Sequence, residues 1–537
     1  MVHGQNFKKM KKRIISAVFL LIWGNCLWAQ AGSLDSTFGV NGTLFFEKTF
    51  PFPPYGLLTT IDNSNRIVVA QSSETDSNLL MVRFLEGGAV DPDFGQTGEV
   101  VLVQGLPFNI WSMAVQNDNK ILVVGGIHDP VDTMWGYISN IFIARFLENG
   151  QPDPSFGFQG AVTIDLDTNA VGLDLAVQDD GSILVTGRLG IINWGGGGNT
   201  DVFLLRLLPN GSFDSSFGNA GIVITDLNAI GFDVDMGEKI VVQPDGKILV
   251  SGINGLWGNG EGDLALIRYQ PNGTLDAFFG NDGIVISKAD VPQYRKILLS
   301  NDQSILVAGH EGSVFGGGLY ATLRKFKPNG EVDSMFADNG IFKTETNDNG
   351  RAFSDIELQA DNKIVAAGFW GDEGLGKSLL MRFFPDGKPD STFGIYAMTR
   401  LEMENCNSGL HHLWFTPDQK ITALGGCADY WADSVFRFFL ARFNNDFSNS
   451  INNPGIASNL TVFPNPASER IIFLFENTVS GSLTFSRSDG TVIFTENLTA
   501  EKQHEISVTS MPNGMYFWKW EGNKNGELAS GKVVVVR

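Results

Sequence analysis

Residues 272–284 read N-G-T-L-D-A-F-F-G-N-D-G-I, and the chain writes nearly the same dozen residues at 210–222, N-G-S-F-D-S-S-F-G-N-A-G-I, and at 149–160, N-G-Q-P-D-P-S-F-G-F-Q-G. The Asp of this motif recurs at Asp35, Asp91, Asp153, Asp214, Asp276, Asp333 and Asp390, at spacings of 56, 62, 61, 62, 57 and 57 residues. Self-similarity at a near-constant period points to a repeat architecture. Two further signatures lie between the copies, and each also occurs seven times. One is an apolar run ending at or near Gly, as in K-I-L-V-S-G at 247 and S-I-L-V-A-G at 304. The other is an aliphatic run ending in a base, at Arg83, Arg145, Arg206, Arg268, Lys325, Arg382 and Arg442.

One unit therefore holds four β-runs. In the fourth unit these are residues 239–243, 248–251, 264–269 and 283–287, here named A to D. The A–B turn Q-P-D-G-K places Pro, Asp and Gly where a tight turn wants them. Four short strands per unit, repeated seven times, describe propeller blades better than solenoid turns. The chain opens with a D strand at 43–47 that has no A, B or C before it, and the array ends on a C strand at 440–443. The orphan strand can complete the last blade and close the ring without a free edge.

Within the motif, Asn-Gly turns the chain out of strand C, and the Asp accepts backbone N–H groups in an Asx-type turn. The Phe at 38, 94, 156, 217, 279, 336 and 393 is a repeated apolar anchor between blades. The strand-C base can pair with the Asp or its backbone. Ca2+ takes six or more oxygens, whereas the motif offers one constant carboxylate. The motif thus reads as scaffold. No cofactor is expected, and Ca2+ is the one ion left open.

The chain has 537 residues, 43% hydrophobic and 18% charged, with 63 Gly, 41 Phe and a net charge of −21. Lys8, Lys9, Lys11, Lys12 and Arg13 precede an apolar run at 14–23, followed by Ala29-Gln30-Ala31. This is the pattern of an export signal, placed at residues 1–31. The run is too short for a permanent membrane span. Removing the segment takes the net charge to −21 − 5 = −26. So acidic a surface argues against nucleic acid and anionic lipid as partners. Cys406 and Cys427 then remain, and an exported compartment permits a disulfide between them; two buried thiols are the alternative.

With N-G-x-x-D-x-x-F-G-x-x-G and Q-x-D-G-K-I-L-V-x-G both recurring, residues 34–443 resemble the delta-60 repeat of secreted bacterial proteins, a family regarded as β-propellers. The resemblance implies fold and export, not a reaction. Departures are Ala337 in place of the first Gly of the sixth copy, and 395–397 in the seventh, where the second Gly is missing.

Residues 448–458 read as a linker, and 459–537 alternate as a small β-domain for which two packed sheets are the economical solution. The expected fold is thus all-β: a seven-bladed propeller over 32–447 followed by an Ig-like sandwich. V-F-P-N-P-A at 462–467, M-P-N-G-M-Y-F at 511–517 and the terminal G-K-V-V-V-V-R resemble the type A C-terminal sorting domain of the type IX secretion system. The residues that carry this match are Pro464, Asn465, Pro466, Gly514, Tyr516 and Lys532, with Met511 where Leu is commoner. The resemblance implies export, outer-membrane passage by the type IX machinery, and surface attachment or release. An ordinary adhesive sandwich is the other reading.

In an antiparallel blade the A–B and C–D connections share one face, and B–C and D–A share the other. The repeated motif is a C–D connection, so the variable B–C loops lie opposite. They carry Trp135, Trp194, Trp257, Phe315, Trp370 and Trp431. Variable loops on a rigid scaffold are where binding concentrates. These rings either stack on an extracellular glycan or surface protein or pack against their own blades. Motifs of nucleophilic or zinc hydrolases and phosphate-cradling loops are missing. His128, His310, His411 and His412 are placed either near the axis as metal ligands or scattered on the surface. The leading expectation is a monomeric secreted or surface-attached binding or structural module. The alternative is a polysaccharide hydrolase or lyase with B–C-face carboxylates as acid and base.

Overall fold

The computed structural model describes residues 31–51, 58–73, 78–103, 108–128, 139–192, 198–227, 234–255, 262–289, 293–312, 318–344, 350–371, 376–403, 406–416, 418–428, 435–445, 460–463, 467, 469–487, 492–509, 511–512, 514–522 and 528–535. The chain divides into two compact units, Met1–Asn445 and Asp446–Arg537. Residues 1–30, read above as part of an export signal, residues 448–458, read as a linker, and Pro464–Pro466 lie outside the described residues.

The described part of the first unit is built of repeated four-stranded antiparallel sheets, the construction of a β-propeller. The fourth sheet runs Met236–Val242, Ile248–Asn254, Asp263–Tyr269 and Ile284–Ser287, so all four expected strands are present, A and B longer than read. Seven such sheets are described. In the last of them the N-terminal strand Thr43–Pro51 pairs antiparallel with Val435–Phe443, Thr43 opposite Ala441. The orphan strand thus completes a sheet begun some 400 residues later in the chain.

The repeated motif is a clamp between neighbouring sheets. Arg268 Nε donates to Asp276 Oδ2 at 2.8 Å, and its Nη1 donates to the Pro328 carbonyl of the next sheet. The guanidinium stands 4.4 Å from the centroid of Phe279. Asp276 Oδ1 accepts the Phe278 N–H at 3.2 Å, closing the Asx turn. Burial would raise the Asp276 carboxyl, but the Phe278 N–H, Arg268 and Lys247 together hold it below its usual range. The Gly280 N–H donates across to the Asn329 carbonyl at 2.9 Å. Gly273 must be glycine: its φ is +89°, and a Cβ there would sit 3.0 Å from Phe217 of the preceding sheet. Each Asn-Gly turn is thus a socket for its neighbour's Phe.

The N-terminal segment supplies that socket for the sixth sheet. The Gly394 N–H donates to the Ala31 carbonyl at 2.7 Å, and Gly32 N–H donates to the Asn444 carbonyl at 2.7 Å. Ala31 is buried with Phe393 and Phe443 in one apolar cluster. A boundary after residue 31 therefore assigns to the export signal a residue that this fold uses. In the sixth copy Ala337 keeps a left-handed φ of +45° without being glycine, and Ala397 does the same at +67°. Cys406 and Cys427 form a disulfide that ties the first strand of the last sheet to the second, with Cα atoms 5.5 Å apart.

In the second unit the strands are long and bent. Arg470–Arg487 and Val492–Ser507 run 18 and 16 residues within a five-stranded sheet. Register shifts between Leu474 and Gly481 bend the long pair, so its two halves enclose one core. Phe473 of one half meets Phe485 of the other, and Trp518 on the neighbouring strand Gly514–Gly522, edge-on at 6.0 and 5.1 Å. The bend replaces a loop because extra residues on one strand kink it without ending it. Tyr516 is buried, with its hydroxyl donating to the Pro512 carbonyl at 2.8 Å. Gly514 and Lys532 lie on the paired strands Gly514–Gly522 and Leu528–Val535.

Candidate functional site

Strand A carries a β-bulge at the same place in six sheets. The register shifts between Ile110 and Ser112, Gly172 and Asp174, Gly237 and Lys239, Tyr294 and Lys296, Phe353 and Asp355, and Leu410 and His412. The extra residues are Trp111, Leu173, Glu238, Arg295, Ser354 and His411. A bulge re-aims side chains and breaks the period of two. Here it sets two successive non-repeating residues into the ladder of an otherwise apolar strand.

In five of the sheets the glycine that ends the strand-B signature makes room for this bulge. A Cβ on Gly187, Gly252, Gly309 or Gly368 would run into the strand-A carbonyl of Val171, Met236, Gln293 or Ala352 respectively. The first unit has Gln71 at that position, and its strand A is described only as Leu58–Ile61.

Strand A of all seven sheets contributes to one cavity of about 690 Å3. Its wall includes Thr59, Trp111, Asp174, Lys239, Arg295, Lys296, Asp355 and His412, with Phe353, Phe369 and Phe436 behind them. Four residues come from strands B and C; His310, Phe369 and Phe436 sit at or near the strand ends that lead into the B–C connections, and Phe438 lies further along Val435–Phe443.

Most of the charge in the wall is used to join sheets. Asp355 Oδ1 is 2.9 Å from Lys296 Nζ; its Oδ2 is 2.6 Å from His412 Nδ1 and accepts the Leu413 N–H at 2.9 Å. Burial would raise the Asp355 carboxyl, but His412 and Lys296 outweigh it and bring it down to about 2. Asp174 repeats the device. It accepts the Ser112 hydroxyl at 2.5 Å and the Ile240 N–H at 3.0 Å, with Lys239 Nζ at 3.8 Å.

Arg295 is different. It is exposed in the cavity, its guanidinium donates to Gln293 Oε1 at 2.9 Å, and among the described residues no carboxylate lies within ion-pair distance. The nearby Glu238 carboxyl is pushed up to about 7 by desolvation, against the pull of Arg295 and Lys239. His310 and His411 are pushed down to about 4, by desolvation first and then by Arg295. The buried His310 imidazole is neutral at pH 7. His310 is 8% exposed, and its Nδ1 is buried with no hydrogen-bond partner.

Of the six sequence-predicted aromatics, Trp370 alone lies among the described residues. Trp135, Trp194, Trp257, Phe315 and Trp431 lie outside the described residues. Trp370 ends strand Ile364–Trp370, and its ring is covered by the guanidinium groups of Arg351 and Arg400 at 4.1 and 3.6 Å. His310, His411 and His412 do come together on the cavity wall. As for cations, one group of three acids whose oxygens lie within 4.8 Å of one another is described, Asp201, Asp226 and Asp235, away from the cavity wall. His411 apart, the bulge residues escape the sequence reading because they do not repeat. The signal was positional: a pair such as Glu238-Lys239, Arg295-Lys296, Ser354-Asp355 or His411-His412 interrupts strand A at one fixed place in each unit.

Four segments, 116–156, 178–217, 243–279 and 359–393, match a family described as a domain of unknown function (DUF5122) beta-propeller. Residues 461–536 match the secretion system C-terminal sorting domain. No curated protein matches the chain. Among solved structures it is similar to the polysaccharide lyase Uly1, at 11% identity and a TM-score of 0.41, covering 75% of this chain and 92% of that one. It is also similar to an exo-beta-1,3-galactanase from Phanerochaete chrysosporium, at 9% identity, TM-score 0.26, and 67% and 91% coverage. A third is the acylaminoacyl peptidase of Pyrococcus horikoshii, at 11% identity, TM-score 0.37, and 81% and 60% coverage. The chain carries DUF5122 β-propeller repeats and a type IX C-terminal sorting domain, which marks it as secreted or attached to the cell surface. No helix among the described residues is long and apolar enough to cross a membrane.

Proposed function

We propose that this β-propeller, delivered outside the cell by its type IX sorting tail, is a binding module whose site is the cavity at the centre of a closed ring of seven blades. The observation that carries this reading is the convergence of strand A from all seven sheets on one cavity, with a non-repeating bulge residue from six of them. A bulge kept only for shape would not need a different side chain in each sheet. The cavity also holds polar groups that the fold itself leaves unused, Arg295 and His310. The B–C aromatics Trp135, Trp194, Trp257, Phe315 and Trp431 belong to the same proposal as its rim. The chain acts as a monomer, residues 448–458 link the ring to an Ig-like sandwich, and the partner is an extracellular glycan or surface protein.

The test is a glycan array on the mature chain, followed by a product assay on every hit. Binding without turnover, lost in a Trp111→Ala variant that still melts like the parent, supports the module. Hits unaffected by substitutions in the cavity wall would remove the site from the axis. Turnover lost in His411→Ala would replace the module with a polysaccharide-acting enzyme, for which the imidazoles beside Arg295 are the favouring observation. For delivery, deleting 459–537 should leave the propeller in the periplasm; normal surface delivery of the truncated chain would contradict the role of the tail.

A further inference from the structure

We infer that the cavity takes a saccharide bearing a single carboxylate, with Arg295 holding the carboxylate and Trp111 carrying the sugar ring. The inference rests on the reading of the cavity as the binding site and adds the ligand's chemistry.

Three cations line the cavity, and two of them are already matched. Lys296 pairs with Asp355 and Glu357 at 2.9 and 3.3 Å, and Lys239 lies 3.8 Å from Asp174. Arg295 is left with the neutral Gln293. A guanidinium is a planar fork that fits a carboxylate through two parallel N–H···O bonds. Among the described residues no carboxylate lies within ion-pair distance of Arg295, and the Glu238 carboxyl that it pulls on is itself pushed up to about 7 by desolvation. One unmatched cation calls for one carboxylate. A polyanion would meet a chain of net charge −21 at the approach, whereas an acid with a single charge is held by Arg295 locally.

The ring-shaped part of the ligand follows from the other wall groups. Trp111 is 46% exposed although it sits within a sheet, because the bulge turns it out of the ladder. An exposed indole face suits the apolar face of a pyranose. In a seven-membered ring of sheets, the second and fifth are three steps apart, so Trp111 and Arg295 address the ligand from opposite sides. His310 also lines the cavity, a neutral polar ring beside the sugar position. The volume of about 690 Å3 lies within the range of small-ligand pockets, roughly 300–1,000 Å3, and a short oligosaccharide fits it.

The test is calorimetric titration of the full mature chain with three probes: glucuronic acid joined to one neutral hexose, the corresponding neutral disaccharide, and acetate. The acidic disaccharide should bind at least tenfold more tightly than either of the others. Arg295→Gln should erase that preference, Arg295→Lys should keep part of it, and Trp111→Ala should weaken both disaccharides; melting curves of each variant check folding. Equal binding of acidic and neutral disaccharides, lost in Trp111→Ala, overturns this inference but leaves the cavity as the site. Acetate binding as tightly as the acidic disaccharide overturns the saccharide assignment. A preference that survives Arg295→Gln overturns the role of Arg295. Failure of every probe overturns the inference, and with the glycan array also empty the broader reading falls as well.

Discussion

Asp355 and Lys296 stand 2.9 Å apart, carboxylate to ammonium, on the first strands of neighbouring sheets. With His412 and the Leu413 N–H on its other oxygen, Asp355 joins three sheets at the cavity wall. Removing one partner of a buried pair leaves the other charge uncompensated, at about 3–5 kcal/mol. Asp355→Asn should therefore lower the melting temperature at pH 7. Its folded-state carboxyl, at about 2, lies below the unfolded value of 3.8. The stabilisation is therefore present above pH 3.8 and is lost as pH falls from there through 2. The gap between parent and variant should narrow over that window, which melting curves across pH would show; a gap constant down to pH 2 would contradict the charge-based account.

Gly252 faces the Met236 carbonyl across the bulge. No left-handed φ is involved, so alanine suits the backbone and its cost comes from the clash alone. Gly252→Ala should destabilise by about 1–3 kcal/mol or more, the range for forced overpacking. Gly87 has nothing within 4 Å of its would-be Cβ, and Gly87→Ala should be near neutral. Denaturant melts of the two variants check the difference.

The strand Thr43–Pro51 is held by Val435–Phe443. Deleting 34–48 removes this pairing along with the Asp35–Lys420 ion pair at 2.6 Å. The last sheet should then exchange its amide hydrogens faster than the middle sheets, and the melting temperature should fall. An unchanged melting curve would argue against ring closure.

Ala31 accepts a hydrogen bond from Gly394 and packs against Phe393. We expect processing to spare it, so that the mature chain begins at or before Ala31. Intact-mass measurement of the exported protein reads this directly, and a chain beginning at Gly32 or later would contradict it.

Cys406 and Cys427 close a loop of 21 residues. Loops of this size contribute about 3 kcal/mol by constraining the unfolded chain. Replacing both by Ala should lower stability by that order, and the parent should show no free thiol by alkylation before reduction.

The sequence by itself determined the repeat, its four strands, the closing N-terminal strand and the scaffold role of N-G-T-L-D-A-F-F-G-N-D-G-I. Local chemistry writes these features in copy after copy: Gly for the turn, preceded by Asn in four of the seven copies, Asp for the Asx cap, Phe for the socket. It even recorded the bulge, in the Gly252-type glycines, although a glycine ending an apolar run looks the same whether it ends a strand or clears a carbonyl. Only the tertiary structure decided what the bulges are for. Trp111, Glu238, Arg295 and His411 lie in different repeats, and nothing local relates them. They share one cavity because strand A is the innermost strand of every sheet, and sheets packed side by side bring all their inner strands to one axis. The residues that repeat hold the sheets together, and those that differ are left facing the same space.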